Sequence, residues 1–284
     1  MIKTASILNG KEIAAKHLEK ISEELSNLRQ SGTTLTLSTV QVGEAQDTVL
    51  YAKAIANLLQ KLGIRHAPLH FPETIQENEL RQQILKASKD VQITGIMIFA
   101  PLPAHLALAS LLRTAGALKD IEGRLTLLSS KSKVRPPTAM AAVALFEETG
   151  VNAAGKEALI IGRSDVVGKP VALLMLEKNA TVTIAHSKTT NLKEHVQRAD
   201  IVIVSVGRPE LVKGDWIKSG AIVIDVGENV VDGKLVGDVE FEKAKERASF
   251  ISPVPGGVGP VTNVMLVRNL ITLSTLQKDH HGNS

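Results

Sequence analysis

The stretch of this sequence best suited to chemistry is a glycine-bounded turn between an apolar run and a helical pattern. Residues 158–161 are apolar, Gly162 ends the run, and Gly168 opens the helical pattern. Backbone N–H groups at a helix start attract phosphate, and glycine lets a ligand approach closely. We therefore predict a phosphate-binding turn that includes Arg163 and Ser164. The spacing differs from G-x-G-x-x-G, so an ordinary strand-to-helix turn is the alternative.

The end of the next predicted strand indicates which dinucleotide would bind. In NAD-binding folds, an acidic residue about 20 positions after the glycine turn binds the ribose hydroxyls. Here the strand is followed by His186, Ser187 and Lys188, and no carboxylate stands among them. A hydroxyl and nearby cations suit a 2′-phosphate, which predicts NADP as the cofactor. In the alternative interpretation, His186 and Lys188 are solvated loop residues.

Strand and helix patterns alternate along the first half of the chain. Strands are predicted at residues 34–42, 64–71 and 93–99, and helices at residues 10–30, 44–62 and 74–88. Such alternation predicts an α/β fold with a parallel sheet. Residues 120–137 are rich in glycine, serine, proline and charge, which predicts a domain boundary.

The same rhythm continues in the second half. Strands are predicted at residues 181–185, 201–206 and 221–226, and an Asp-Gly turn predicts a hairpin at residues 231–235. The strand at residues 201–206 runs into Gly207. Because ligands bind at the carboxyl edge of open parallel sheets, we expect Gly207 at the cofactor site.

Composition narrows the class of protein. The 284 residues suit about two domains. The net charge of +4 is too mild and too dispersed to predict nucleic-acid binding. The sequence has no cysteine, so disulfides and thiolate metal sites are excluded, and we predict no metal site. No apolar run approaches the roughly 18 residues of a membrane span, and no signal peptide is evident, so we expect a cytoplasmic protein without a membrane partner.

Longer stretches carry a resemblance to a known family. In the second half they are GRSDVVGKP (162–170), ATVTIAHSKT (180–189), ADIVIVSVGRP (199–209), GAIVIDVG (220–227), VGDVEF (236–241) and SPVPGGVGPVT (252–262). In the first half they are LNGKEIA (8–14), VGEAQDTVLY (42–51), GIMIFAPLP (95–103) and KDIEG (119–123). Together they resemble bifunctional methylenetetrahydrofolate dehydrogenase/cyclohydrolase, called FolD in bacteria, over nearly the whole chain.

The resemblance implies two α/β domains with a cleft between them. Residues 1–137 and 263–284 would form a folate-type substrate domain, and residues 138–262 a Rossmann-like NADP-binding domain. It also implies a homodimer formed through the second domain. Hydride would pass from methylenetetrahydrofolate to the nicotinamide, and the methenyl product would be hydrolysed to formyltetrahydrofolate.

The resemblance also implies roles for particular residues. The implied cofactor residues are Gly162, Arg163, Ser164, Gly168, Ser187, Gly207 and Glu228. The implied substrate residues are Tyr51, Glu122, Pro255, Gly256 and Gly257. The family's catalytic positions correspond to Tyr51, Ile55, Phe99 and Glu122.

The sequence departs from the family at the proton-handling position. The family carries Tyr-x-x-x-Lys on a helix, where residues four apart share a face, and its lysine serves the cyclohydrolase step. Here Ile55 stands four positions after Tyr51. Lys53 is two positions after Tyr51, so we expect it on another side of the helix.

Other departures concentrate on the substrate domain. Phe99 replaces a glutamine, Glu122 an aspartate and Thr48 a serine, and residues 136–141 replace P-C-T-P-x-G. In the second domain, Glu228 replaces an apolar cofactor contact, whereas the phosphate-site features are present.

Three hypotheses follow from these departures. The first is an NADP-dependent methylenetetrahydrofolate dehydrogenase with weak or absent cyclohydrolase activity, because hydride transfer depends mainly on positioning. The second is an oxidoreductase derived from this family that acts on another, less polar substrate. The third is a catalytically silent paralogue that binds nucleotide or pairs with an active subunit.

Overall fold

The computed structural model describes residues 4–125 and 132–282, and the chain divides into two compact units. The large-sheet unit comprises Met1–Leu18 and Pro136–Met265, and the small-sheet unit comprises Glu19–Arg135 and Leu266–Ser284. Part of the predicted boundary segment, residues 126–131, lies outside the described residues. The predicted two-domain α/β class is confirmed.

Strands and helices alternate in the first part of the chain. The elements are β1 (Ser6–Ile7), α1 (Gly10–Gln30), β2 (Thr36–Val42), α2 (Gln46–Lys61), β3 (Arg65–Phe71), α3 (Glu77–Lys89), β4 (Gly95–Ile98) and α4 (Leu108–Ala115). The predicted strands and helices are present with bounds that differ by a few residues. Two further elements, β1 and α4, were not predicted.

The second part of the chain continues the alternation. Its elements are α5 (Pro137–Glu147), β5 (Glu157–Ile161), α6 (Gly168–Glu177), β6 (Thr181–Ala185), α7 (Leu192–Arg198), β7 (Ile201–Val204), β8 (Ile222–Asp225), β9 (Asn229–Val231), β10 (Lys234–Val236), α8 (Phe241–Ala244), β11 (Phe250–Ile251) and α9 (Val258–Gly282). A 3₁₀ turn lies at Gly214–Trp216.

The small-sheet unit contains a parallel sheet in the order β3-β2-β4. Its central strand β2 is almost fully buried, as expected for a strand covered on both faces. Leu80 and Ile84 of α3 pack with Val40, Ile96 and Ile98 of the sheet in one buried cluster. This packing fixes the carboxyl ends of β2 and β4, where Phe99 follows β4.

The large-sheet unit contains six parallel strands in the order β1-β11-β8-β7-β5-β6. The chain passes from β5 to β6 on one side and then returns to place β7 on the other side of β5. This reversal is the topological switch point at which open α/β sheets bind ligands. The predicted hairpin is confirmed as β9 and β10, with Asp232 and Gly233 at φ 51° and 74° in its turn.

The amino-terminal residues belong to the large-sheet unit, which differs from the predicted domain of residues 1–137. Strand β1 pairs with β11 at the edge of the large sheet. The Gly10 N–H donates to the Gly256 carbonyl at 2.8 Å, and a Cβ on Gly10 would lie 1.7 Å from the Gly257 oxygen. These contacts attach residues 4–18 to this unit. The second division falls after Met265, close to the predicted boundary after residue 262.

None of the helices among the described residues has the length and apolar character needed to cross a bilayer.

A buried amide on α9 holds two loop carbonyls of the small-sheet unit. Asn269 is 0% exposed, and its Nδ2 donates to the Ile121 carbonyl at 2.8 Å and to the Arg135 carbonyl at 2.7 Å. Its amide therefore fixes the chain immediately before Glu122.

Replacing this amide tests its contribution to stability. Asn269→Leu leaves two buried carbonyls without a donor, so we expect a loss of about 2–4 kcal/mol in the free energy of unfolding. The control Thr275→Ala removes an exposed hydroxyl that bonds only the Ile271 carbonyl of its own helix, and we expect a change within about 0.5 kcal/mol. Urea unfolding followed by circular dichroism measures both changes. Equal midpoints for the two variants would contradict the role of Asn269.

Candidate active site

Two glycines close the predicted phosphate turn where β5 and β7 end. Gly162 has φ +124°, and a Cβ there would lie 2.2 Å from the Ser205 carbonyl oxygen after β7. A Cβ on Gly168 would lie 2.3 Å from the Gly162 oxygen. Any side chain at either position would collide with backbone, so the turn depends on glycine for its close approach.

Ser164 has a structural role in this turn that the sequence interpretation missed. Its Oγ accepts the Val167 N–H at 3.1 Å and lies 3.4 Å from the Gly168 nitrogen. The Ser164 carbonyl accepts the Lys169 N–H at 3.0 Å. Ser164 therefore satisfies N–H groups at the start of α6, as capping hydroxyls do.

A cavity of about 460 Å³ opens beside the turn at the carboxyl edge of the large sheet. Its walls include Gly162, Arg163, His186, Ser187 and Arg208. The structure thus brings together the predicted phosphate turn and the predicted 2′-phosphate residues. Arg163 and Ser187 are both exposed, which leaves their side chains accessible to an anionic ligand.

The other predicted cofactor residues do not line this cavity. Ser164 and Gly168 form the helix start behind it. Gly207 has φ +63° and donates its N–H to Asp238 Oδ2 at 3.0 Å. Glu228 is exposed after β8, and its carboxylate lies 3.1 Å from where a Cβ on Gly259 would stand.

A buried carboxylate, which the sequence interpretation also missed, organises the loop after β7. Asp238 is 0% exposed and accepts three consecutive backbone N–H groups, from Val206 at 2.6 Å, Gly207 at 3.0 Å and Arg208 at 2.7 Å. It also accepts the Asn229 amide at 2.9 Å. The stretch VGDVEF contained the signal, because a charged residue inside an apolar run needs buried partners.

Asp225 at the end of β8 is hydrogen-bonded to the backbone of Asp238. Its carboxylate accepts the N–H groups of Gly227 at 2.9 Å, Asp238 at 3.1 Å and Val239 at 2.8 Å. Burial raises the pKa of Asp225 to about 7, although these N–H groups act to lower it. The two aspartates together fix the loops that follow β7 and β8.

The glycine-rich segment after β11 also belongs to the large-sheet unit. Gly256 has φ +103°, and a Cβ on Gly257 would lie 2.6 Å from the Pro253 oxygen. Pro255 is exposed. These predicted substrate residues therefore form one turn, and the remaining predicted substrate residues, Tyr51 and Glu122, lie in the small-sheet unit.

An aromatic pair joins two of the predicted catalytic positions of the small-sheet unit. The rings of Tyr51 on α2 and Phe99 after β4 meet edge to face, with centroids 5.7 Å apart and planes at 74°. Ile55, one turn along α2 from Tyr51, is 1% exposed. Lys53 is exposed, so the ammonium nearest in sequence lies on the solvent side of the helix.

The charged groups near Tyr51 form an ion pair that was not predicted. Arg124 Nη2 donates to Glu122 Oε1 at 2.9 Å, and the two side chains are 20% and 13% exposed. Burial raises the pKa of Glu122, and Arg124 opposes the shift. Burial, and next the charge of Glu122, raise the pKa of Tyr51 to about 12, whereas Arg124 lowers it.

Two family models match the chain. The model described as tetrahydrofolate dehydrogenase/cyclohydrolase, catalytic domain, matches residues 8–122. The model described as tetrahydrofolate dehydrogenase/cyclohydrolase, NAD(P)-binding domain, matches residues 136–278. The catalytic-domain match precedes the NAD(P)-binding match along the chain, in the same order as the predicted substrate and NADP-binding domains.

Curated relatives span almost the same length. A protein of Bacillus pumilus named bifunctional protein FolD is 42% identical over 274 residues, which cover 94% of this chain and 97% of the relative. A protein of Geobacter metallireducens named bifunctional protein FolD 2 is 43% identical over 285 residues, which cover 98% of this chain and 99% of the relative.

Solved structures share the fold. The bifunctional FolD enzyme of Campylobacter jejuni superposes with a TM-score of 0.92 at 35% identity, covering 96% of this chain and 99% of that chain. The FolD of Trypanosoma brucei, solved with NADP and an inhibitor, has a TM-score of 0.89 at 32% identity, covering 97% and 99%. From its sequence, its two domains and these relatives, the chain is an enzyme of the tetrahydrofolate dehydrogenase/cyclohydrolase (FolD) family.

Proposed function

We propose that this enzyme oxidises 5,10-methylenetetrahydrofolate to methenyltetrahydrofolate with NADP, and that it hydrolyses the methenyl product slowly. The observation that carries the proposal is the buried hydrocarbon of Ile55 at the position of the family lysine. Family membership supports both the folate substrate and the nucleotide.

The cofactor half of the proposal rests on the large-sheet cavity. Gly162 of the turn borders the cavity, and Arg163 and Ser187 stand on its walls. A guanidinium and a hydroxyl are good partners for a 2′-phosphate. NADP supplies the hydride acceptor when it is bound, and hydride transfer then depends mainly on how the chain positions the two molecules.

The hydrolytic half lacks an ionisable side chain at the position of the family lysine, where Ile55 stands. An efficient general base has a pKa near the working pH. Ile55 and Phe99 carry no ionisable group, and the Tyr51 hydroxyl, with a pKa of about 12, stays protonated at neutral pH. Water attack on the methenyl carbon therefore proceeds without a positioned base on α2.

A lysine substitution tests the hydrolytic half. Ile55→Lys places an amine beside Tyr51, and burial lowers the pKa of such an amine toward neutrality. General acid–base groups contribute about 10²–10⁴-fold, so we expect at least a roughly tenfold gain in hydrolysis of methenyltetrahydrofolate over the uncatalysed rate. The matched control is Ile55→Met, which adds length without an amine and leaves hydrolysis unchanged. The loss of methenyl absorbance measures the rate.

The same assay, applied to the wild-type enzyme, distinguishes the three hypotheses. With methylenetetrahydrofolate and NADP, we expect NADPH and methenyl product to accumulate together. Rapid loss of the methenyl product in the wild-type enzyme would contradict the role given to Ile55. NADP binding without folate turnover would instead favour another substrate or a silent paralogue.

The chain's only tyrosine gives a direct measurement of its environment. Because Tyr51 is the single tyrosine, the tyrosinate absorbance reports this site alone. We expect ionisation at a pH of about 12 in the folded protein, against the ordinary value of about 10. Since the folded-state pKa is raised, this group's contribution to stability is complete below about pH 10 and is lost as the pH rises toward 12. Titration at pH 10 with unchanged circular dichroism would contradict the burial of the hydroxyl.

The preference for NADP over NAD tests whether the large-sheet cavity binds the 2′-phosphate. Arg163→Gln removes a charged donor to the 2′-phosphate, so we expect NADP affinity to fall roughly tenfold or more while NAD affinity changes less than about twofold. The control Arg198→Gln changes an arginine that pairs with Glu157 and lies outside the cavity. Fluorescence titration measures both affinities, and equal losses for NADP and NAD would contradict phosphate recognition by Arg163.

A further inference from the structure

The Glu122–Arg124 pair leaves much of its hydrogen-bonding capacity unused. One contact joins the side chains, from Nη2 to Oε1 at 2.9 Å. Among the described residues, no other donor reaches the Glu122 carboxylate, and Arg124 Nε is buried without an acceptor. The pair therefore presents an unused carboxylate oxygen next to unused guanidinium N–H groups.

The pair lies near Tyr51, which the family resemblance assigns to the substrate of the proposed reaction. Both charges lie close enough to act on the hydroxyl of Tyr51, whose ring contacts Phe99. Ile55 and Phe99 have hydrocarbon side chains that are 1% and 3% exposed. Within the described part of this site, Glu122 and Arg124 therefore supply the charged groups that a ligand would meet.

The carboxylate oxygen of Glu122 and the N–H groups of Arg124 that are left unused among the described residues suit a ligand with a donor next to an acceptor. A carboxylate accepts hydrogen bonds, and a guanidinium donates them in a fixed fork. A heterocycle with a ring N–H beside a ring carbonyl offers one donor and one acceptor side by side. The pterin ring of a folate has this edge, with N3–H next to the 4-oxo group.

We propose that Arg124 is a substrate-recognition residue that donates to the 4-oxo group of the pterin, beside Glu122, which the family resemblance already assigns to the substrate. This inference rests on the proposed folate substrate and adds a residue and a contact to it. A buried guanidinium N–H without a partner is unfavourable, so a ligand that satisfies it gains affinity. A 4-amino ring places donors against donors and loses that gain.

Two ligands that differ only at the 4-position distinguish a contact between Arg124 and the substrate from a merely structural role of Arg124. The probes are folate and 4-amino-4-deoxyfolate, and calorimetry measures the dissociation constant of each with the NADP-bound enzyme. We expect Arg124→Met to lower the ratio of the 4-amino to the 4-oxo dissociation constant by roughly tenfold or more. Arg124→Lys keeps the charge without the fork, and we expect an intermediate ratio. The control Arg113→Met alters an exposed arginine on α4 and leaves the ratio unchanged.

The outcomes distinguish this inference from the proposed function. NADP affinity and the thermal midpoint establish that each variant is folded. If the wild-type enzyme oxidises methylenetetrahydrofolate but Arg124→Met and Arg124→Lys both keep the wild-type ratio, the inference is overturned and the proposed function stands. If the wild-type enzyme neither binds folate nor oxidises methylenetetrahydrofolate, both are overturned.

Discussion

The buried carboxylate of Asp238 is the interaction on which the loop after β7, at the carboxyl edge of the large sheet, depends. It gathers three successive backbone N–H groups of the loop after β7, and the Asn229 amide beside the hairpin. A buried carboxylate is costly without donors, so these bonds hold the loop in one conformation. The Ser205 carbonyl at the start of that loop abuts Gly162 across the switch point. Asp238 therefore fixes the loop whose first carbonyl, that of Ser205, packs against Gly162.

The two units differ in how they meet the requirements of their chemistry. The large-sheet unit presents cationic side chains at a glycine turn, within the part of the chain that matches the family's NAD(P)-binding domain. The small-sheet unit presents two rings and a buried isoleucine beside one ion pair. Hydride transfer requires that the substrate and the nicotinamide are aligned, whereas hydrolysis requires a group that transfers a proton. Under the proposed function, the substitution at Ile55 affects the second requirement.

Local patterns were sufficient to predict most of the elements and the glycine turn after β5. The Asp232-Gly233 hairpin and the Gly162 turn follow from backbone rules that act over a few residues. Strand β1 escaped prediction because two residues carry no periodicity, and its pairing partner β11 lies far along the chain. Arg124 was missed for a related reason. A charged loop residue is ordinarily solvated, and only the folded chain shows that it is buried against Glu122.

The large-sheet unit is assembled from two stretches of chain, Met1–Leu18 and Pro136–Met265. A fragment that began at α5 would lack β1 and would leave β11 as a bare sheet edge, which is a template for aggregation. It would also lack Gly10, which packs directly on the Gly256–Gly257 backbone. Any chimaera that transplants this nucleotide module must carry the first eighteen residues with it, and recombination at a single crossover cannot exchange it intact.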